Sequence, residues 1–359
     1  MKFKKKQIKR WKRGVCGLKQ TELTQFMEKQ EKPKINYLEG FDWHNYNESQ
    51  TKEKLYFINL LAELCSYTKE TTHYVGRKPL SLKDLIFAVV IKQYLNISSR
   101  RIQSDLESLK KLGFISKSIP FNTLLDNLER YDLRESLKEL IEISALPFIE
   151  TESIFAIDAT GFDIYRYRTY FNMKHGEDRK WRLYRKLHAV CGVKSNIISS
   201  VEITEGYVHD QNEFIPLIND TARNFNIKEL CADKGYLNAK HFALLQELGG
   251  QAFIPFKNNT TGKSSDNHRS YFRQAFRRFN ENKEAYMLHY HKRSNIESCF
   301  SMIKRKFGNS LKSKKSISQD NEILAKVLAH NICVLIQEAF LSGISLDISS
   351  RAENYIARQ

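Results

Sequence analysis

Three acidic residues stand where a carboxylate could do chemistry. Asp158 lies near the end of the apolar run Ser153 to Ala159 and is followed by Ala-Thr-Gly. Asp233 directly follows Glu229 to Ala232, in Ala-Asp-Lys-Gly-Tyr. A carboxylate at the end of a core strand is held rigidly yet can face a cleft, which suits a hard metal ion that needs oxygen ligands. Each also has a plain reading as a strand-end or turn Asp. Glu297 belongs to a longer pattern, since Tyr290, Arg293, Glu297 and Lys304 fall within about 60° of one another at roughly 100° per helical residue. On that face Glu297 would be a metal ligand, with Arg293 and Lys304 holding phosphates on either side. The same spacing equally suits an exposed helix with an ordinary four-apart ion pair, Arg293 with Glu297.

Cations and aromatics are interleaved from Tyr165 to Lys186, a mixture that suits phosphate contact and stacking on unpaired bases, or plain surface charge over a partly buried aromatic core. Arg273, Arg277, Arg278, Lys312, Lys314 and Lys315 extend the basic surface. His209 and Asp210 could lie near the carboxylates, although a turn and cap opening the next helix also explains Asp210.

The elements that must position these residues change character near residue 150. Before it the pattern is helical. Ser81 with Asp84 three residues on marks a helix start, followed by Leu82, Leu85, Ile86, Val89 and Val90 at helical spacing. Ser98 or Ser99 opens a second helix with Ile102, Leu106 and Leu109 inside and Gly113 as its stop. Asn122 opens a third, with Leu124, Leu125 and Leu128 on one face. After Pro147 come strands at Ser153 to Ala159, Lys186 to Val193 and Ile197 to Thr204, then a helix over Asp210 to Asn224. A strand over Glu229 to Ala232, a helix over Asn238 to Leu248 and a strand over Gln251 to Pro255 follow. Two helices, Ala285 to Phe307 and Gln319 to Leu341, close the order, which is that of an α/β fold around one mixed sheet.

Composition bounds the partners. The 359 residues carry a formal net charge of +17, with pI near 9.4, and such a surface attracts polyanions, nucleic acid above all. Hydrophobic residues at 41% and aromatics at 12% exclude a disordered chain. The basic run from Lys2 to Lys19, free of acids, reads as an arm for phosphate contact or a solvated tail. The six cysteines form no C-x-x-C pair, so neither a zinc ribbon nor a disulfide framework is expected. No apolar stretch follows the basic start, and Ile323 to Leu341 is interrupted by Lys326, His330, Asn331, Gln337 and Glu338, as in a buried helix rather than a membrane span.

Tyr290, Arg293, Glu297 and Lys304 match, at every spacing, the Y-R-E-K signature of DDE transposases of bacterial and archaeal insertion sequences. The settings of Asp158 and Asp233 resemble that family's first and second carboxylate motifs, and Gly206 to Asp210 (Gly-Tyr-Val-His-Asp) resembles the segment between them. The resemblance covers about residues 150 to 340. It implies a ribonuclease H-like mixed sheet with flanking helices, preceded by a mainly helical N-terminal region. It assigns Asp158, Asp233 and Glu297 as catalytic metal ligands, Tyr290, Arg293 and Lys304 as DNA- and phosphate-binding residues, and Mg²⁺ as cofactor, in two ions that Mn²⁺ could replace. The expected partner is double-stranded DNA, both element ends and target, bound by a homo-oligomer in the cytoplasm on the nucleoid, with no membrane. The corresponding division is a basic arm over 1–35, a helical and DNA-binding region over 36–150, a catalytic domain over 151–345 and a tail over 346–359.

Some relatives carry a large β-rich insertion between the second Asp and the Glu that helps form DNA hairpins. Asp233 and Glu297 are 64 positions apart, too close for it, so a hairpin intermediate is not expected. Competing readings are a ribonuclease H-like nuclease without strand transfer, a domesticated DNA-binding protein without catalysis, and a structural RNA-binding protein, the last explaining the charge but not the carboxylates.

Overall fold

Apolar runs too short for helices build one sheet, and longer periodic runs cover it. The structure is a computed structural model that describes residues 41–70, 79–164, 184–260, 269–346 and 348–357. The basic N-terminal arm and most of the cation and aromatic segment after Tyr165 lie outside these residues.

Among the described residues five α-helices come first: α1 (Trp43–Ser66), α2 (Leu82–Tyr94), α3 (Ile102–Lys111), α4 (Phe121–Asn127) and α5 (Tyr131–Ala145). Ser81 caps α2 as expected, its hydroxyl accepting from the Asp84 amide at 3.4 Å. Ile102, Leu106 and Leu109 are buried on α3, and Gly113 ends that segment with φ of +84°. In α4 the inner face holds Leu124 and Leu128, one turn apart, while Leu125 points outward and is 44% exposed.

The sheet follows. Its strands are β1 (Ile154–Ile164), β2 (Tyr184–Gly192), β3 (Ile198–Glu205), β4 (Glu229–Ala232), β5 (Gln251–Phe253) and β6 (Ser310–Leu311). The order is β3-β2-β1-β4-β5, with β6 beside the far end of β1. The first three strands are antiparallel, while β4, β5 and β6 run parallel to their neighbours. This is the expected ribonuclease H-like mixed sheet behind a helical N-terminal region. Helices α6 (Phe214–Ala222) and α7 (Ala239–Glu247) connect β3 to β4 and β4 to β5, and Asn238 caps α7.

Several elements differ from the sequence reading, and three of the differences lie in or near the site. β1 does not end at Ala159 but runs on to Ile164, because β2 continues to pair with it as far as Asp163↔Tyr184. The helix expected over Ala285 to Phe307 is two, α9 (Lys283–His291) and α10 (Ser294–Phe307). The chain tightens between them: the amides of Lys292 and Arg293 bond three residues back, to His289 and Tyr290. Lys292 and His289 meanwhile both reach Glu229 at the start of β4, at 2.7 and 2.9 Å. A single helical wheel therefore does not relate Tyr290 to Glu297. Finally, α8 (Arg269–Glu281) is a helix where the sequence was read only as basic surface. Apart from β5, the described residues between Asp233 and Glu297 are helix, turn or loop, with no β-rich insertion among them.

The core element is α11 (Ser316–Ser342), closed by Gly343 at φ of +69°. Its length and composition would allow it to cross a membrane, but most of its apolar window is buried against α2, α5 and the sheet. Its polar residues fasten neighbours. Asp320 takes a two-pronged bond from Arg185 on β2, each at 2.8 Å. Asn331 satisfies both backbone groups of Ile198 on β3, and Lys326 donates to the carbonyls of Gly308 and Ser310 beside β6. A last helix, α12 (Ser349–Ile356), docks on α5 through Tyr355 and Glu142, 2.8 Å apart. Residues 44–359 form one compact unit. The five described cysteines are free thiols, four of them buried.

Candidate active site

The sheet forks where the carboxylates stand. β1 and β4 pair from Ile154↔Glu229 to Ile157↔Ala232 and then part. The next residue on each strand is an acid, Asp158 on β1 and Asp233 after β4. Asp158 is thus not at the end of its strand, as expected, but at the end of its pairing with β4, while β2 holds its backbone from the other side. A side chain there is rigid and still faces an opening in the sheet.

α10 brings the third acid. Ile296, Cys299, Phe300, Ile303 and Phe307 form its buried stripe against β1 and β2, and Glu297 flanks that stripe, 58% exposed. Arg293, at the break before α10, ties the groups together. Its guanidinium donates to Asp158 Oδ2 and to Glu297 Oε1, both at 2.6 Å. The Asp158 carboxyl also accepts from the Ala159 amide at 2.8 Å. Burial nevertheless dominates and raises the Asp158 pKa, against the lowering pull of that amide and of Arg293. Burial opposes the charge on Arg293, but Asp158, Tyr290 and Glu297 outweigh it and hold the proton more firmly than usual. The Tyr290 ring lies 5.9 Å from the guanidinium carbon.

Lys304, two turns further along α10, donates to the Thr160 hydroxyl at 2.6 Å and lies over the Phe162 ring. Thr160 is two residues after Asp158 on an extended strand, so both side chains leave the same face. Burial lowers the Lys304 pKa, with Asp163 opposing. Alternation along β1 could have revealed Thr160 from sequence.

A second polar group backs the Asp233 turn, and of its members Asp210 was read from sequence as a candidate near the carboxylates. Asp233 opens the short turn Lys234–Tyr236, and Gln211 holds that turn by donating to the Gly235 carbonyl at 2.5 Å. Tyr236 is buried against Phe214 and bonds through its carbonyl to His241 at 2.7 Å. Its hydroxyl has no hydrogen-bond partner among the described residues. Burial pushes its pKa up, and the charges of Asp210, Asp158 and Asp233 add to the push. Asp210 accepts from Lys186 at 3.0 Å and lies 3.7 Å from Nδ1 of His188, a fully buried ring that burial holds near pKa about 4 and hence neutral. Asp210 opens the turn before α6, as one reading had it, but its side chain caps nothing there and pairs with Lys186 instead. His209 makes no comparable contact among the described residues.

Asp158, Glu297 and Arg293 are in direct contact, Lys304 reaches the same strand, and Asp233 stands across the fork. Among the described residues no three His, Cys, Asp or Glu side chains close on one point as a metal cage. Two carboxylates instead gather around a guanidinium, which shows that the position accommodates positive charge. Hard carboxylate oxygens of this kind fit a divalent cation such as Mg²⁺, which takes only one or two from protein and the rest from water and phosphate.

The sequence profile of the transposase DDE domain family matches residues 149–332, just over half of the chain. The match spans β1 to β6, α6 to α10 and most of α11, so it contains every residue of the fork. The chain therefore belongs to the transposase DDE domain family.

Proposed function

We propose, with membership of the transposase DDE family as the premise, that this chain is the transposase of an insertion sequence. It binds the terminal inverted repeats of its element as a homo-oligomer, hydrolyses a phosphodiester to free a 3′ hydroxyl, and joins that hydroxyl to target DNA. The observation that carries the reading is the pair of acids at the sheet fork, with Arg293 linking one of them to Glu297.

Asp158, Asp233 and Glu297 would hold two Mg²⁺ ions, for which Mn²⁺ could substitute. Ions bound there supply charge neutralisation at phosphorus and a nucleophile near neutral pH. The chain's own contribution is placement. β1 and β4 fix two carboxylates on opposite sides of an opening, and the buried stripe of α10 fixes the third. Arg293 and Lys304 are cations at the rim of that opening, positioned to take phosphate oxygens in place of their present carboxylate and hydroxyl partners. Tyr290 stands where its ring could pack on a sugar or base. The helices before residue 150 contribute further DNA contacts, and the protein works in the cytoplasm on the nucleoid.

The test is a joining assay with a labelled duplex ending in the repeats that bracket the reading frame, a supercoiled target and Mg²⁺. Covalent joining of the repeat end to the target supports the transposase reading. Cutting without joining, and without preference for the repeat, would establish a nuclease instead.

A further inference from the structure

Among the described residues, the outer face of α8 is a cluster of exposed arginines outside the fork. Its inner face is aromatic: Phe272, Phe276 and Phe279 surround Phe256 at ring distances of 5.4, 5.1 and 5.3 Å. That packing fixes the helix, and it leaves Arg273, Gln274, Arg277 and Arg278 exposed on the other side. Glu281, the last residue, is the only acid on the helix. Arg134, Arg185 and Arg293 each grip a carboxylate. Among the described residues, Arg273, Arg277 and Arg278 have none within ion-pair distance. Unpaired guanidiniums fanned over one helix face raise the local positive potential, and they keep all their donors for an incoming anion.

A cleft of about 440 Å³ lies between α8, which lines it with Phe276, Phe279 and Asn280, and the turn after Asp233, which lines it with Lys234. Its floor is the Phe256, Phe276 and Phe279 cluster, and its polar lining includes Lys234, Lys257 and Lys283. Lys234 directly follows Asp233. Lysines therefore line the cleft from beside one carboxylate to α8, the helix whose exposed face carries the arginines. Arg293 and Lys304 approach the same opening from α10.

We propose that the outer face of α8 and the lysine-lined cleft beside Asp233 bind the phosphodiester backbone of the DNA strand that passes through the carboxylate centre. The inference rests on the DNA reading of that centre and adds the surface that holds the strand as it leaves. A bound phosphodiester continues in two directions, and the lysines and α8 offer cations along one of them. An acidic protein segment would meet the same charges, but it would not need them to lead away from a phosphate-handling centre.

The test uses the full chain and a fluorescent duplex of random sequence, with binding followed by anisotropy over a salt series. Arg273→Gln, Arg277→Gln and Arg278→Gln combined should cut affinity at moderate salt about tenfold or more. The same variant should lower the slope of log affinity against log salt by about two to three, because each lost phosphate contact removes about one counterion. The residues are exposed, so the thermal unfolding of this variant should match the wild type. The matching triple Lys variant should recover the slope. Lys194→Gln with Lys228→Gln, exposed or half-exposed at the opposite end of the sheet, should leave it unchanged. A wild-type slope in the triple Gln variant, with wild-type protein binding normally, overturns this inference alone. Failure of the wild type to bind any duplex overturns the functional reading with it.

Discussion

Arg293 occupies the position a divalent cation would take relative to Asp158 and Glu297, and this has consequences at single residues. Arg293→Ala should weaken strand cleavage strongly while lowering thermal stability only slightly, since one of its two partners is mostly exposed. The same variant should bind Mn²⁺ more tightly than wild type without DNA, because the guanidinium no longer competes for those oxygens. Mn²⁺ titration followed by electron paramagnetic resonance checks this, and weaker binding would mean that Arg293 organises the carboxylates rather than competing for them. A separate expectation concerns His188 and His241, both buried and both held near pKa about 4. Their folded pKa lies below the unfolded value, so the unfolded chain takes up protons first as pH falls. Stability should therefore be full above pH about 6.5 and decline towards pH about 4, by on the order of 3 kcal/mol per ring at most. Urea unfolding at neutral and mildly acid pH measures it, and His241→Gln should flatten the dependence.

At the scale of elements, α11 anchors the edge of the sheet that carries β2. Asp320→Ala would leave the nearly buried Arg185 with only the exposed Glu205 carboxylate, 3.6 Å away, at a cost of up to about 3–5 kcal/mol, visible as a lower urea midpoint. A change below about 1 kcal/mol would show that apolar packing alone seats the helix. Much of this scale was legible in the sequence. Period-two and period-3.6 patterns placed β2, β3, β4, α2, α3 and α7 nearly where they lie, and Ser81 caps α2 where a helix start was read. The break between α9 and α10 was not legible, because it depends on Glu229 drawing Lys292 and His289 towards β4, a contact distant in sequence. The extension of β1 past Asp158 likewise depends on pairing with β2. Of the Y-R-E-K residues, Arg293 meets Asp158 and Glu297, and Lys304 meets Thr160 on β1. In the polar group of Tyr236, His188 and Asp210, Asp210 and Tyr236 lie in segments singled out from sequence, whereas His188 carried no local pattern and joins them only through the pairing of β2.

At the scale of the whole molecule, the helices before residue 150 are not a detachable appendage. α2 and α5 pack against α11, and Arg134 on α5 bonds to both Asp320 on α11 and Glu202 on β3. Residues 41–145 expressed alone should lack cooperative unfolding, because their faces against α11 would be bare. A sharp, reversible melt of that fragment would contradict this. The net charge of +17 gives the molecule its general attraction for DNA, whereas the fork gives one place where DNA could be cut.

The most direct measurement compares wild type with Glu297→Gln for cleavage and joining of a labelled duplex carrying the element's end, in Mg²⁺. Asp158→Asn and Asp233→Asn serve as companions, and DNA binding is measured alongside. The expected result is end-specific cleavage and joined product in the wild type, loss of both in every variant, and binding within about threefold of wild type throughout. Near-normal cleavage by Glu297→Gln would contradict the assignment of these three carboxylates as the reaction centre.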